Sequence, residues 1–122
     1  MPKKVLIVDD EPDILESVKG LVENAGYAAV AVDSGKKCLE RLGKEKFDLV
    51  LLDVLMPIMT GRHVLEEIRK NPKLKKQMVA FLTVVQLSEP GKEIIGRLKP
   101  AEYFQKPIDP ENFVKRLRKL LK

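Results

Sequence analysis

Asp9, Asp10, Asp53, Thr83 and Lys106 are far apart in the chain, yet each stands where a short apolar run ends. Val5-Leu6-Ile7-Val8 leads into Asp9-Asp10, Leu49-Val50-Leu51-Leu52 into Asp53, and Val79-Ala80-Phe81-Leu82 into Thr83. Lys106 directly precedes Pro107 at the end of a fifth run, and proline forces its predecessor into extended geometry. Polar side chains just past buried strands gather at the carboxyl edge of a sheet, where open α/β proteins build their sites. Three carboxylates, a hydroxyl and an ammonium meeting there suit a hard cation and a phosphoryl group. Mg²⁺ takes one or two carboxylates, waters and a phosphate oxygen. Lysine meets phosphoryl oxygens as a point charge, a hydroxyl can donate to them, and an aspartate can act as the nucleophile.

Each residue also has a plainer role. One of Asp9 and Asp10 could cap a helix starting near Pro12, with Glu11 beside it. Two or three carboxylates at one strand end exceed what a cap requires, and without a cation they raise one another's pKa at a cost in stability. Asp53 could open a loop, Lys106 could form a salt bridge to Asp53 or Asp9, and Thr83 could satisfy a loop backbone group. The set is more telling than any member.

Apolar runs alternate with segments of helical period along the whole chain. Strands are expected over Lys4–Val8, Ala28–Val32, Leu49–Leu52, Met78–Leu82 and Glu102–Gln105. Helices follow each, carrying Ile14, Leu15, Val18, Leu21 and Val22; Cys38, Leu39 and Leu42; Val64, Leu65 and Ile68; a weaker one with Ile94, Ile95 and Leu98; and Phe113, Val114, Leu117, Leu120 and Leu121. Such alternation specifies right-handed crossovers and a parallel sheet covered by helices on both faces. Ser34 reads as the cap of the second helix, Asp109-Pro110 as the start of the last, and Asn71-Pro72 as the stop of the third. Gly26 and Gly43 read as following helix ends.

At 122 residues the chain is expected to be one domain, spanning 1–122. Its 44% hydrophobic and 34% charged residues exclude a disordered chain. The longest uncharged run, Gln77 to Ser88, is shorter than the ~20 residues of a membrane span, and Pro2-Lys3-Lys4 leads into a strand rather than a signal peptide. A cytoplasmic protein without membrane partners is therefore expected. The single cysteine, Cys38, excludes an internal disulfide and reads as a small apolar helix residue. The formal net charge of +5 arises largely from Arg69–Lys76 and from Lys115, Arg116, Arg118, Lys119 and Lys122. No aromatic residues interleave these stretches for base stacking, so they read as solvated faces and not as a nucleic-acid surface. His63 has no partner at metal-ligand spacing, Met56-Pro57 shapes the turn after the third strand, and Tyr27 packs at the start of the second.

Val8-Asp-Asp-Glu11, Leu52-Asp-Val-Leu-Met-Pro57 with Gly61 following, Leu82-Thr83 and Tyr103-Phe-Gln-Lys-Pro107 closely resemble the receiver domain of two-component response regulators. The resemblance covers Lys4 to Leu121, in motifs and in the spacing between them. It implies a flavodoxin-like, doubly wound α/β/α fold, with a five-stranded parallel sheet in the order 2-1-3-4-5 and five helices. Asp53 would be the phosphoacceptor, attacking the phosphohistidine of a sensor histidine kinase or phosphotransfer protein. Mg²⁺ would be held by Asp10, Asp53 and the backbone carbonyl of Leu55, with Asp9 reaching it through water. Lys106 and Thr83 would bind phosphoryl oxygens. Phosphorylation adds about −1.5 to −2 charges, drawing Thr83 and Lys106 inward. Tyr103 would then fill the space behind Thr83 and change the face of the fourth helix, fifth strand and fifth helix. Otherwise Tyr103 is an ordinary half-buried strand residue. The resemblance suggests a single-domain regulator of the chemotaxis or phosphorelay kind with an unidentified downstream target, monomeric or dimerising on phosphorylation. It would catalyse only its own phosphorylation and dephosphorylation.

Val84 stands where receivers usually have Ala or Gly, predicting slow autodephosphorylation through crowding. Pro90-Gly91 and Pro100-Ala101 predict an output face shaped differently from the family norm. Two other functions compete. A hydrolase of the haloacid dehalogenase type needs a second aspartate two residues after the nucleophile, where this chain has Leu55. An unphosphorylated interaction module is disfavoured by the intact Asp9, Asp10, Asp53, Thr83 and Lys106.

Overall fold

A computed structural model describes residues 2–83, 93 and 96–122. The strands are β1 (Lys4–Val8), β2 (Ala28–Val32), β3 (Leu49–Asp53), β4 (Val79–Thr83) and β5 (Glu102–Gln105). The helices are α1 (Pro12–Asn24), α2 (Gly35–Lys44), α3 (Gly61–Lys70) and α4 (Pro110–Leu120). Here α4 is the last helix of the sequence-based count. Val84, Pro90-Gly91, Ile94 and Ile95 lie outside the described residues, and with them most of the weaker helix expected there.

All strand pairs are parallel, in the order β2-β1-β3-β4-β5. β1 and β3 sit centrally because their residues are apolar on both faces; Val5–Val8 and Leu49–Leu52 have no exposure to solvent. Strand alternation sorts the core into two halves. Leu6, Val8, Val50, Leu52, Val79 and Phe81 pack with Cys38 and Leu42 of α2 and Val64, Leu65 and Ile68 of α3. Val5, Ile7, Leu49, Leu51, Ala80, Leu82 and Phe104 pack with Val18 and Val22 of α1 and Phe113 and Leu117 of α4. Tyr27 joins the second half. This is the expected doubly wound α/β fold.

Helix starts follow the sequence signals. Ser34 accepts from Lys37 N at α2, Thr60 from His63 N at α3, and Asp109 from Glu111 N and Asn112 N ahead of Pro110 at α4. Asn71 caps the end of α3, and Gly26 follows α1 with φ 99°, the left-handed geometry that favours glycine. Gly43 does not end α2, which continues to Lys44. That terminus is set by Glu45, whose side chain is held by Lys4 at 2.7 Å and by Arg41.

Candidate functional site

The alternation that builds the core also aims the site residues. Asp53 ends β3 on the same face as Leu51. Asp9 and Lys106 lie two residues beyond Ile7 and Phe104, which share that face. All three therefore point to the α1 and α4 side of the carboxyl edge. Thr83 is in step with Phe81 and points to the opposite side. Among the described residues, the buried polar or charged ones are Asp9, Asp53, Thr83 and Lys106, and no others. Lysine and aspartate are seldom buried unless paired, so their meeting at one sheet edge marks the site more firmly than any local motif does.

Lys106 Nζ lies 2.5 Å from Asp9 Oδ2, 3.5 Å from Asp53 Oδ1 and 3.9 Å from Glu11 Oε1. It spans 97 residues of sequence to reach Asp9. The other oxygen of Asp9 accepts from Glu11 N at 2.9 Å. Asp53 Oδ1 accepts from Leu55 N at 3.2 Å. The expectation that Asp9 or Asp10 caps α1 fails, because the cap position is Glu11 and has no side-chain cap bond. The structural salt-bridge reading of Lys106 is correct as far as it goes, with Asp9 the nearer partner. The Lys106–Pro107 peptide is cis.

Electrostatics follow from burial. Burial, reinforced by the charge of Asp9, pushes the Asp53 carboxyl from 3.8 to about 6, against the opposing pull of Lys106 and the Leu55 N–H. At Lys106 burial disfavours the ammonium, but the hydrogen bond to Asp9 and the charges of Asp53, Asp9 and Glu11 outweigh it and hold the pKa above its ordinary value.

One carboxylate oxygen from each of Asp9, Asp10 and Asp53 lies within 4.8 Å of the others. Oxygen donors at that separation fit a small hard cation, whose Mg²⁺–oxygen distances of about 2.0–2.1 Å put opposite ligands about 4 Å apart. Asp10 is exposed, whereas both oxygens of Asp9 are already engaged by Lys106 and Glu11. The donor set thus fits Mg²⁺, with Asp10 and Asp53 the more available carboxylates.

Tyr103 is half-buried beside β4, its ring 5.9 Å from that of Phe81, with which it is in register. Thr83 is two residues beyond Phe81, so Tyr103 and Thr83 share a sheet face. Its backbone is held by a residue that the sequence does not single out. Arg116 donates to Tyr103 O at 2.7 Å, pairs with Glu102 at 2.5 Å and lies 4.6 Å over the Phe104 ring. Arg69 likewise donates to the carbonyls of Leu98, Lys75, Gln77 and Lys99. The reading of both basic stretches as solvated faces is corrected at these two arginines. Arginine's forked donors were the available clue, since lysine cannot bridge several carbonyls in the same way. His63 is exposed on α3, 3.8 Å from Glu67, and Cys38 is buried with its thiol pushed up to about 12 by desolvation, so neither belongs to the site.

The sequence and the fold both have counterparts among known proteins. A family model described as the response regulator receiver domain matches residues 5–118. The transcriptional regulatory protein CrdR of Helicobacter pylori is 34% identical over 98% of this chain and 55% of its own length. The alkaline phosphatase synthesis transcriptional regulatory protein PhoP of Bacillus subtilis is 30% identical over 100% of this chain and 50% of its own length. The chain thus spans about half the length of these curated relatives. The structure of the chemotaxis protein CheY4 of Vibrio cholerae superimposes with a TM-score of 0.89 at 30% identity, covering 98% of this chain and 99% of that one.

Proposed function

The chain belongs to the response regulator receiver domain family, whose members are signalling modules, and on that premise we propose that it accepts a phosphoryl group on Asp53 from a sensor histidine kinase or phosphotransfer protein. The observation that carries this reading is the confinement of the described buried polar residues to Asp9, Asp53, Thr83 and Lys106, at adjacent strand ends. With its pKa near 6, Asp53 is mostly ionised at neutral pH and competent as a nucleophile. Its oxygen forms the new P–O bond as the P–N bond to the donor imidazole breaks, and the leaving nitrogen takes up a proton. Lys106, held by Asp9 and 3.5 Å from Asp53, supplies positive charge beside the transferred group. The Thr83 hydroxyl donates to a phosphoryl oxygen from the other side. Positioning and charge neutralisation are the main demands of phosphoryl transfer, and the ammonium of Lys106 beside Asp53 supports the second.

Asp10, Asp53 and the Leu55 carbonyl would hold Mg²⁺, with Asp9 acting through water; when bound, the ion neutralises the charge of the phosphoryl oxygens. Phosphorylation then draws Thr83 and Lys106 inward. Tyr103 moves on the face it shares with Thr83, altering the surface around β5 and α4 that a downstream target reads. Arg116, bonded to Glu102 and Tyr103 O, ties α4 to that movement. No described helix is long and apolar enough to cross a membrane, and on this reading the protein acts in the cytoplasm between a phosphodonor protein and a downstream target.

Intact mass after incubation with acetyl phosphate and Mg²⁺ tests the reading. One labile phosphoryl adduct is expected, absent from Asp53→Asn. Steady phosphate release without an adduct indicates a hydrolase instead, and neither signal indicates an unphosphorylated interaction module.

A further inference from the structure

The loop from β3 to α3 carries the two exposed large hydrophobic residues of the described chain, Leu55 and Ile58. Ile58 is fully exposed at φ 69°, and Met59 N donates to Pro57 O across it at 2.7 Å. A bond from residue i+2 back to residue i around a positive φ is the rare, strained form of the γ-turn. A β-branched side chain is especially ill-suited to a positive φ, which glycine adopts freely and asparagine more often than most other residues. Neither hydrophobic burial nor backbone preference therefore accounts for isoleucine at this tip. Strain combined with exposure beside a reactive group points toward function.

The loop's base is the phosphoacceptor itself. Gly61 N donates to Val54 O at 3.0 Å, closing the loop directly after Asp53. Asp53 is buried, so a protein delivering a phosphoryl group must press its own surface against the rim of the crevice, and this loop is part of that rim. A small phosphodonor needs no such contact. We infer that Ile58, with Leu55 beside it, is a specificity residue for the phosphotransfer of the preceding section, docking against an apolar patch next to the phosphorylated histidine of the donor protein. The inference rests on the phosphoacceptor reading of Asp53.

The test compares Ile58→Asn, which suits the turn and removes the apolar surface, with Ile58→Leu, which keeps that surface. Phosphoryl donors are a panel of purified, autophosphorylated histidine kinase cytoplasmic cores, with acetyl phosphate and phosphoramidate as small donors. For the kinase that labels the wild-type chain fastest, Ile58→Asn is expected to lower kcat/KM about tenfold, mainly through KM, as loss of one buried aliphatic contact would. Ile58→Leu should stay close to wild type. Both variants should react with the small donors at the wild-type rate, and Ile58→Asn should melt no lower than wild type. Equal slowing with all donors, or no slowing with the kinase, overturns the inference while leaving the phosphoacceptor reading intact. No labelling by any kinase overturns it together with the kinase-partner reading, and no adduct from the small donors removes its premise. Should Ile58→Asn instead spare kinase transfer but abolish self-association of the acetyl-phosphate-treated chain, measured by light scattering, a second copy is the occupant and the donor assignment is wrong.

Discussion

Asp53 carries the opposing demands of the site. As the proposed nucleophile it must be ionised, yet burial and Asp9 push its pKa up to about 6. The stability consequence has a definite sign. With the folded pKa above the ordinary 3.8, folding takes up a proton between those values, so stability falls as pH rises through that window. Above it the ionised carboxylate is a standing penalty of at most about 3 kcal/mol. In metal-free buffer Asp53→Asn should therefore raise the thermal midpoint at about pH 8, and the gain should shrink as pH falls toward about 4. Paired melts of the two proteins across that range check it; an unchanged or lower midpoint at the upper end would count against the buried-charge account. Asp9, Asp53, Thr83 and Lys106 were legible from sequence because a polar residue closing an apolar run is a local signal. Arg116 and Arg69 were not, since a basic stretch does not show which cation finds a carbonyl.

At the scale of elements, close approaches of backbone hold the carboxylates in place. A Cβ on Gly61 would land on the carbonyl oxygen of Asp53 and within 2.9 Å of Val54 Cα, so the start of α3 is pressed against the end of β3. A Cβ on Gly35 would instead meet side chains, Val64 at 2.5 Å and Met59 at 2.8 Å, and a methionine can move aside. Gly61→Ala is expected to destabilise the fold by about 1–3 kcal/mol, and to slow labelling by acetyl phosphate. Gly35→Ala should do less on both counts. Denaturant unfolding and the rate of adduct formation measure the two effects, and equal losses in both variants would show that the β3–α3 contact has no special role in placing Asp53. Helix starts at Ser34 and Asp109 were readable because capping is local chemistry. The end of α2 was not, because Glu45 is fixed by Lys4 from β1, 41 residues away.

For the whole molecule, folding gathers like charges that the unfolded chain keeps apart. Of Asp9, Asp10 and Asp53, the first and last pair with Lys106, so a divalent ion that binds only the assembled cluster should stabilise the native state. Ligand at a hundred times its Kd adds about 2.7 kcal/mol. Millimolar Mg²⁺ is expected to raise the thermal midpoint relative to chelator, with a smaller rise in Asp10→Asn. A midpoint insensitive to Mg²⁺ in the wild-type chain would remove the metal from the mechanism.

The sequence by itself determined the alternation of strands and helices, the residues that close each strand, and the family they resemble. These are local properties, written in hydrophobic period, capping and the order of short motifs. Tertiary structure decided which strand ends stand side by side, and so that Lys106 meets Asp9 more closely than Asp53. It also decided that Arg116 grips the backbone of Tyr103, and that closing the β3–α3 loop over Asp53 holds Ile58 in a strained turn. Those outcomes depend on packing between residues remote in the chain, and on alternatives closely matched in energy, which local pattern does not encode.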